Sequence, residues 1–281
     1  MPGAYQRDYI YYGITKANQP GILNRNIREE LYRFRIDESA FLSIADQSGS
    51  DPELQYPSQE SRYLTNEEIL QRIWNDGHFE LYFSSYIGTE DGTGAMEHQL
   101  PFSVDPRDLF SIEKVHVKHK NSTAFRHSKN FYSVDPKNLK SKWYYPAKHG
   151  LDDRVFTLPW DLYSKSIAIH LFVEERDDVQ EFNESRTVVD EFVNKADFSM
   201  EGGGSAGEIN LTSKLGYGFS HTTTTTNTAT VKTSVNSDNL GTLSFFYYDP
   251  IIKSESDGLY NVYSVFNGTV AATLLPGDIT K

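Results

Sequence analysis

The feature that most constrains the fold of this chain is the distribution of apolar residues over positions 209–235. No apolar side chain occupies an even position there. The odd positions hold Ile209, Leu211, Leu215, Tyr217, Phe219, Ala229, Val231 and Val235. Because side chains alternate between the two faces of a strand, this pattern predicts one very long two-faced strand, or two strands that share a phase.

The apolar face weakens between His221 and Thr228, which favours two segments over one. Five consecutive threonines, 222–226, then form a solvated middle. We expect the first segment to pair with a strand that precedes it. We expect the second to lead into the aromatic stretch 243–248 and to lie in the core sheet.

Composition supports a sheet protein. Tyrosine and phenylalanine number 18 and 17 in 281 residues, and aromatic residues favour strands. Thr65 and Glu68 form a capping-box pattern before an apolar stripe, which predicts one short helix at about 66–76. The predicted fold is mainly β, an antiparallel β-sandwich or an elongated β-sheet with that helix.

We expect two β-rich domains. Residues 1–150 would hold the helix and a basic segment, and residues 151–281 would hold the long Ser/Thr-rich amphipathic strands. A short repeat lies in the first: the sequence FSVDPRDL at 102–109 recurs as YSVDPKNL at 132–139. Asp before Pro can cap a single helical turn, so the repeat predicts two similar corners with Leu109 and Leu139 facing the core.

The net charge and its distribution limit the kinds of molecule that the protein is expected to bind. The net charge of −12 argues against non-specific nucleic-acid binding, which requires a basic surface. Residues 114–148 are nevertheless strongly basic. We assign an anionic-partner patch to this segment, or a surface that docks on the acidic run 174–191. Its residues are Lys114, Lys118, Lys120, Arg126, Lys129, Lys140 and Lys142.

A carboxylate cluster follows the apolar run 167–173, which reads as a buried strand. It consists of Glu174, Glu175, Asp177 and Asp178. Loop carboxylates at a strand end can bind Ca²⁺, although the spacing matches no EF-hand loop, and a solvated acidic loop is the alternative. No other cofactor is expected, and no catalytic residue is assigned.

Cysteine is absent, which excludes disulfides and thiolate chemistry and fits an exported bacterial protein or an intracellular one. No apolar run of signal-peptide length occurs in the first 25 residues, and no run approaches 18 apolar residues. We expect an extracellular or cell-surface location.

A second amphipathic strand spans residues 186–200, and a glycine link joins it to the stretch 209–235. The two strands predict a hairpin at about 186–220 that could cross a membrane as part of a barrel. The candidate residues are Val188, Phe192, Phe198, Gly202, Gly204, Gly207, Leu211, Leu215, Tyr217 and Phe219.

This pattern, over about residues 181–243, resembles aerolysin-type β-pore-forming proteins. In that family, long Ser/Thr-rich strands alternate polar and apolar residues around a hairpin that joins a β-barrel after oligomerisation. The resemblance implies a toxin-like, homo-oligomerising protein that binds a cell surface, glycan or membrane.

We expect a non-enzymatic, surface-directed protein, and its most specific form is an oligomerising pore-former. The alternative is a β-sandwich binding module or adhesin-like structural protein that recognises a glycan or a protein. An enzyme is the third and less favoured interpretation. The pore hypothesis requires residues 188–200 and 209–219 to pair as a hairpin on the body with few buried contacts beneath it.

Overall fold

A computed structural model shows that the chain is mainly β and that its described strands pair antiparallel, which confirms the predicted fold class. It describes residues 15–16, 19–23, 27–44, 55–58, 62–73, 77–91, 95–121, 128–151, 158–160, 164–176, 180–193, 222–246, 252–256 and 259–276. Within these ranges no helix is long and apolar enough to cross a membrane.

The strands are given in chain order. They are β1 (Thr15–Lys16), β2 (Gln19–Leu23), β3 (Ile27–Ile36), β4 (Gln55–Ser58), β5 (Phe79–Ile87), β6 (Ala95–Val104), β7 (Phe110–Ile112), β8 (His116–Asn121), β9 (Ser128–Ser133), β10 (Leu139–Ser141), β11 (Leu158–Trp160), β12 (Ala168–Glu175), β13 (Glu181–Val193), β14 (Thr222–Ser234), β15 (Asp238–Phe246), β16 (Ile252–Ser256), β17 (Leu259–Val262), β18 (Val265–Phe266) and β19 (Val270–Pro276). The α-helices are Phe41–Ile44, Asn66–Ile73 and Pro106–Leu109. Single 3₁₀ turns span Glu38–Ala40, Pro136–Asn138 and Pro146–His149.

Two four-stranded sheets face each other across the main hydrophobic core. Their orders are β11-β3-β19-β18 and β15-β12-β5-β6, and we call the second the central sheet. Phe34 of the first sheet contacts Phe83 and Phe102 of the central sheet, at ring-centroid distances of 4.8 and 5.4 Å. These rings are fully buried, so the two sheets form the predicted sandwich.

Both halves of the chain contribute to each of these sheets. β3 pairs with β19, and β5 pairs with β12, so each sheet contains strands from both sides of residue 150. Their inward side chains join one core cluster. A division at residue 150 therefore does not correspond to two separate hydrophobic cores.

The helix Asn66–Ile73 begins with the predicted capping box. The Thr65 backbone N–H donates to Glu68 Oε2 at 2.9 Å, and the Glu68 N–H donates to Thr65 Oγ1 at 3.2 Å. Ile69 and Ile73 lie on its buried face. The reciprocal bonds satisfy two N–H groups that the first turn of a helix leaves unpaired.

The two copies of the repeat form matching corners. Asp105 and Asp135 each accept a hydrogen bond from the backbone N–H two residues later, and each Pro begins a single helical turn. Leu109 and Leu139 are fully buried, as predicted. The strands that follow the corners, β7 and β10, pair with each other.

A third layer covers the outer face of the central sheet. It is a two-stranded hairpin of β13 and β14, with 13 residue pairs from Glu181–Ser234 to Val193–Thr222. At about 3.4 Å per residue, the hairpin extends about 40 Å. β14 leads through a turn at 235–237 into β15, which is an edge strand of the central sheet.

Candidate functional site: a hairpin held by a buried polar latch

The hairpin uses a different pairing from the one predicted. Val188 lies opposite Asn227, so β13 pairs with the second half of the 209–235 stretch and not with residues 209–219. The pairing that the pore hypothesis required is therefore not the one found, and a pore-forming hairpin has to use the register of β13 with β14. The prediction that this second half lies in the core sheet is wrong, because β13 is the only strand that pairs with β14 among the described residues. Of the candidate hairpin residues, the described ones are Val188 and Phe192. Those outside the described residues are Phe198, Gly202, Gly204, Gly207, Leu211, Leu215, Tyr217 and Phe219.

The alternation of faces is confirmed where β14 is described. From Thr226 to Thr233, even positions are exposed and odd positions are buried. Ala229 and Val231 are completely buried. Four of the five consecutive threonines are exposed and Thr225 is half-buried, which agrees with a solvated middle. The outer face of β14 from Thr222 to Thr230 is therefore a row of threonine hydroxyls.

Only a small apolar cluster joins the hairpin to the body. Val188, Ala229 and Val231 pack on Tyr86 and Phe172 of the central sheet. Burying a valine side chain stabilises by about 1.5–3 kcal/mol, so these contacts alone give a modest attachment. Phe192 is also buried, and the other buried side chains of the described hairpin are polar.

The centre of the buried interface is a hydrogen-bonded group that we call the latch: His170, Asp190 and Asn227. The His170 ring lies with Nε2 3.2 Å from Asp190 Oδ1. Asn227 Nδ2 donates to the other carboxylate oxygen of Asp190 at 2.7 Å. On its far side the ring contacts Ser244 Oγ through Nδ1 at 2.8 Å. The latch thus connects both hairpin strands with two strands of the central sheet.

Because Asp190 is buried, the latch is stable only in an arrangement that gives its carboxylate oxygens partners. Asp190 is completely inaccessible, and a buried carboxylate is tolerated only when its oxygens have partners. Burial, together with the charge of Asp190, raises the pKa of Tyr86 to about 12. Gly88 provides the space, because a Cβ atom added there would lie 2.3 Å from Asp190 Cγ.

A second polar group holds the base of the hairpin. Glu174 of β12 contacts the guanidinium groups of Arg176 and Arg186, and Arg186 also pairs with Glu184 at 2.7 Å. The Arg186 guanidinium lies 5.4 Å from the Phe172 ring centroid. Glu174 and Arg176 are almost fully buried, so the charge of each side chain has to be neutralised by an ion pair.

Two further hydrogen bonds attach the hairpin to the body. The Ile167 N–H donates to the Glu191 carbonyl at 2.8 Å, and the Arg176 guanidinium donates to the Lys232 carbonyl. The Val235 N–H, which donates to the Gln180 carbonyl at 3.2 Å, closes the base of the hairpin itself. The two bonds to the body are side-by-side contacts and not a continuous strand ladder between the layers.

Glu174 and Glu175 do not form the predicted calcium cluster in the described part of the chain. The oxygens of Glu174 bond to arginines, and Glu175 Oε1 accepts from the Glu80 backbone N–H at 3.2 Å. Asp177 and Asp178 lie outside the described residues. Within the described ranges, no group of three or more metal-ligating side chains occurs.

The basic segment spreads over β8, β9 and the corner of β10. Lys114 and Lys118 are exposed, Lys140 lies 3.7 Å from Glu38, and Lys142 donates to the Arg107 carbonyl. The side chains of Lys120, Arg126 and Lys129 are outside the described set. The ion pairs of the described residues do not join this segment to the acidic run, where Glu174 and Glu181 pair with Arg176, Arg186 and Lys232.

Ser244, His170 and Asp190 have the residue types of a hydrolytic triad, but their placement favours a structural role. His170 and Ser244 are cross-strand neighbours in the interior of the central sheet, and the hairpin covers the imidazole. A triad needs an accessible nucleophile beside an oxyanion site. A substrate would reach this ring only if the hairpin left.

The sequence did contain a signal for the latch. His170 is the one strongly polar residue in the apolar run 167–173, Asp190 lies between the inward residues Val188 and Phe192, and Asn227 interrupts the odd-numbered apolar face. Each residue breaks a pattern on a different strand. That the three meet is visible only in the fold.

Comparison of the chain with protein-family models, with curated proteins and with solved structures found no match.

Proposed function

We propose that the protein is an oligomerising β-pore-former of the aerolysin type, in which the hairpin leaves the central sheet and its strands join a transmembrane barrel. The observation that carries this proposal is the interface beneath the hairpin. Within the described residues, its centre is polar, its apolar cluster has five members, and the hairpin pairs with no strand of the sandwich.

A polar interface suits a layer that must detach. Carboxylates and amides that leave the protein interior regain hydrogen bonds to water, whereas exposed apolar surface is penalised. The same groups make the attached state specific, since Asp190 is satisfied only when His170 and Asn227 are both in register. In this proposal the hairpin has two well-defined arrangements, one attached to the central sheet and one in the barrel.

The amphipathic character of the strands supports the second arrangement. β14 presents threonine hydroxyls on one face, and Ala229 and Val231 on the other. A barrel strand needs about 9–11 residues with one lipid-facing and one lumen-facing side. Residues 194–221, which join the strands in sequence, continue the same odd–even pattern from Ile209 to Phe219. In this proposal they form the membrane-crossing part.

A removable crosslink between the hairpin and the body tests the proposal. The chain has no cysteine, so Gly88→Cys with Asp190→Cys introduces a single pair. The added Cβ at position 88 would point at the Asp190 side chain, and a disulfide needs Cβ atoms about 3.8 Å apart. The single variants serve as controls.

We expect the oxidised double variant to release no dye from liposomes or target cells and to form no SDS-resistant oligomers. Reduction should restore both to the level of Asp190→Cys alone. Equal dye release before and after reduction would show that the hairpin does not need to move. No release by wild-type protein from any lipid mixture or cell would reject the pore.

A second candidate is an adhesin-like binding module, and the exposed threonine row favours it. Alternate residues of β14, from Thr222 to Thr230, present hydroxyls on the outer face of a hairpin that is attached at several points. Such a row is a flat, regular hydrogen-bonding surface. The crosslinked variant separates the two functions, because an adhesin would bind its target equally in the oxidised and reduced states.

A further inference from the structure

A second cluster of side chains lies on the sheet face opposite to the one that packs on the main core. On β3, Phe34 and Ile36 point into the core, so Arg33 and Arg35 point outwards. Trp143 and Tyr145 cover them from the loop after β10, and Lys148 follows in the next helical turn. We call this group, with Tyr32, the platform.

Stacking fixes the two guanidinium groups. The Arg33 guanidinium carbon lies 4.1 Å from the Trp143 ring centroid, and that of Arg35 lies 5.3 Å from it. Lys148 Nζ lies 4.1 Å from the Tyr145 ring centroid. Three cations are thereby held over two aromatic rings, and cation–π contacts of this kind are favourable on a surface.

Three hydrogen bonds also fix the orientation of the Arg33 side chain. It donates to Thr273 Oγ1 at 3.2 Å, to the Tyr145 hydroxyl at 3.4 Å and to the Val262 carbonyl at 3.4 Å. All three acceptors are neutral. The guanidinium is therefore oriented by its neighbours while its positive charge remains uncompensated.

Among the described residues, no acidic side chain pairs with the cations of the platform. Within the described residues, Arg33, Arg35 and Lys148 lie within ion-pair distance of no carboxylate. In contrast, a carboxylate neighbours each of Arg62, Arg107, Arg176 and Arg186. Arg35 also has a buried Nε without an acceptor. Three unneutralised cations in a chain of net charge −12 indicate a place for an anionic group.

One exposed tyrosine borders these cations, and a second follows a residue that Arg33 contacts. Tyr32 is 40% exposed and contacts Tyr145 edge-on, with ring centroids 5.4 Å apart. Tyr263, which follows the Val262 carbonyl that Arg33 contacts, is 41% exposed. Aromatic rings offer flat apolar area beside a polar hydroxyl, which suits the C–H face of a pyranose.

We infer that the platform binds an acidic saccharide, a sugar that bears a carboxylate or a sulfate. The guanidinium groups of Arg33 and Arg35 donate to the anionic group, for which their fork geometry is suited, and Lys148 adds a third positive charge. Tyr32 and Tyr263 pack on the ring of the sugar. The site lies apart from the hairpin and does not depend on the proposed pore.

Titration calorimetry with three matched oligosaccharides tests this site without a membrane. One is neutral, one has the same backbone with a terminal carboxylated sugar, and one carries a sulfate. We expect wild-type protein to bind at least one acidic form and to bind the neutral form more weakly. Affinity should fall as salt is added, because the contact is ionic.

The variants are Arg33→Gln, Arg35→Gln, Tyr32→Ala and Lys148→Gln. Tyr32 and Lys148 are exposed, so we expect their substitutions to leave the fold unaffected. Each arginine substitution should weaken acidic-saccharide binding by about ten- to a hundredfold, because it removes a hydrogen bond to a charged group. Arg72→Gln is the matched control, because Arg72 also lies over a tyrosine, at 5.8 Å from the Tyr56 ring, on another element.

Equal affinity for neutral and acidic forms would overturn the inference, as would absence of binding to all three. So would unchanged affinity in the four platform variants. Binding to anionic vesicles through these residues, with no saccharide binding, would assign the platform to a lipid headgroup and would also overturn it.

Discussion

The two faces of the central sheet are covered by opposite kinds of interface. On the inner face, phenylalanines of β3, β5 and β6 form a continuous apolar core. On the outer face, beneath the hairpin, a histidine, a carboxylate and an amide occupy the centre, with a five-member apolar cluster beside them. Apolar burial drives folding, whereas a buried polar group mainly penalises arrangements that leave it unpaired. We expect the sandwich to set global stability and the hairpin to open as a separate unit.

The largest expected effect comes from comparing one phenylalanine on each face. Phe83→Ala removes a fully buried ring from the main core and should lower the free energy of unfolding by about 3–5 kcal/mol. Phe192→Ala, in the hairpin, should mainly raise the rate of amide exchange in β13 and β14. Denaturant unfolding combined with hydrogen exchange distinguishes a global loss of stability from local opening of the hairpin. A similar global loss in both variants would show that hairpin and sandwich unfold together.

The pH dependence of the sandwich should be governed in part by Glu29 of β3. Burial, with a smaller contribution from Glu30, raises the pKa of Glu29 to about 8. Because the folded state favours the protonated form, its stability should fall as pH rises from the unfolded value of 4.5 through about 8. Glu29→Gln should remove this loss, a gain on the order of a few kcal/mol at pH 8.

Chemical denaturation at pH 5 and pH 8 checks this expectation. The gain from Glu29→Gln should appear at pH 8 and be small at pH 5, and hydrogen exchange should place it in the sandwich strands. An equal gain at both pH values would mean that Glu29 is not protonated in the folded protein at neutral pH.

The latch should have an intermediate effect that is confined to the hairpin. Asn227→Ala removes the donor to Asp190 Oδ2 and leaves a buried carboxylate oxygen without a partner. The expected cost is about 1.5–3 kcal/mol, observed as faster exchange of the β13 and β14 amides. If the pore proposal holds, dye release should also become faster. Protection unchanged from wild type would show that the latch does not hold the hairpin.

The smallest effect is expected on the outer face of the same strand. Thr226→Ala removes an exposed hydroxyl one residue before the latch asparagine. Surface substitutions of this kind usually change stability by less than about 0.5 kcal/mol. Because the two positions are adjacent in one strand, Thr226→Ala is the matched control for Asn227→Ala. A loss as large as that of Asn227→Ala would attribute the effect to strand propensity and not to the latch.

Local patterns predicted the elements well. The capping box at Thr65 and Glu68, the two Asp-Pro corners and the odd–even alternation of β14 each depend on neighbours in sequence, and each is confirmed. The partner of β14 was not predictable in the same way. Period-2 alternation fixes which face a residue occupies but leaves the partner strand open.

From residue patterns alone it follows that this chain forms sheets, which side chains of β14 face inwards, and where its corners and its helix begin. Only the tertiary structure decided that β13 and β14 form a separate layer, that His170, Asp190 and Asn227 meet beneath it, and that Arg33 and Arg35 share one tryptophan. The physical reason is range: backbone geometry and side-chain periodicity act over a few residues, whereas a buried charge finds its partner across strands that are distant in the chain.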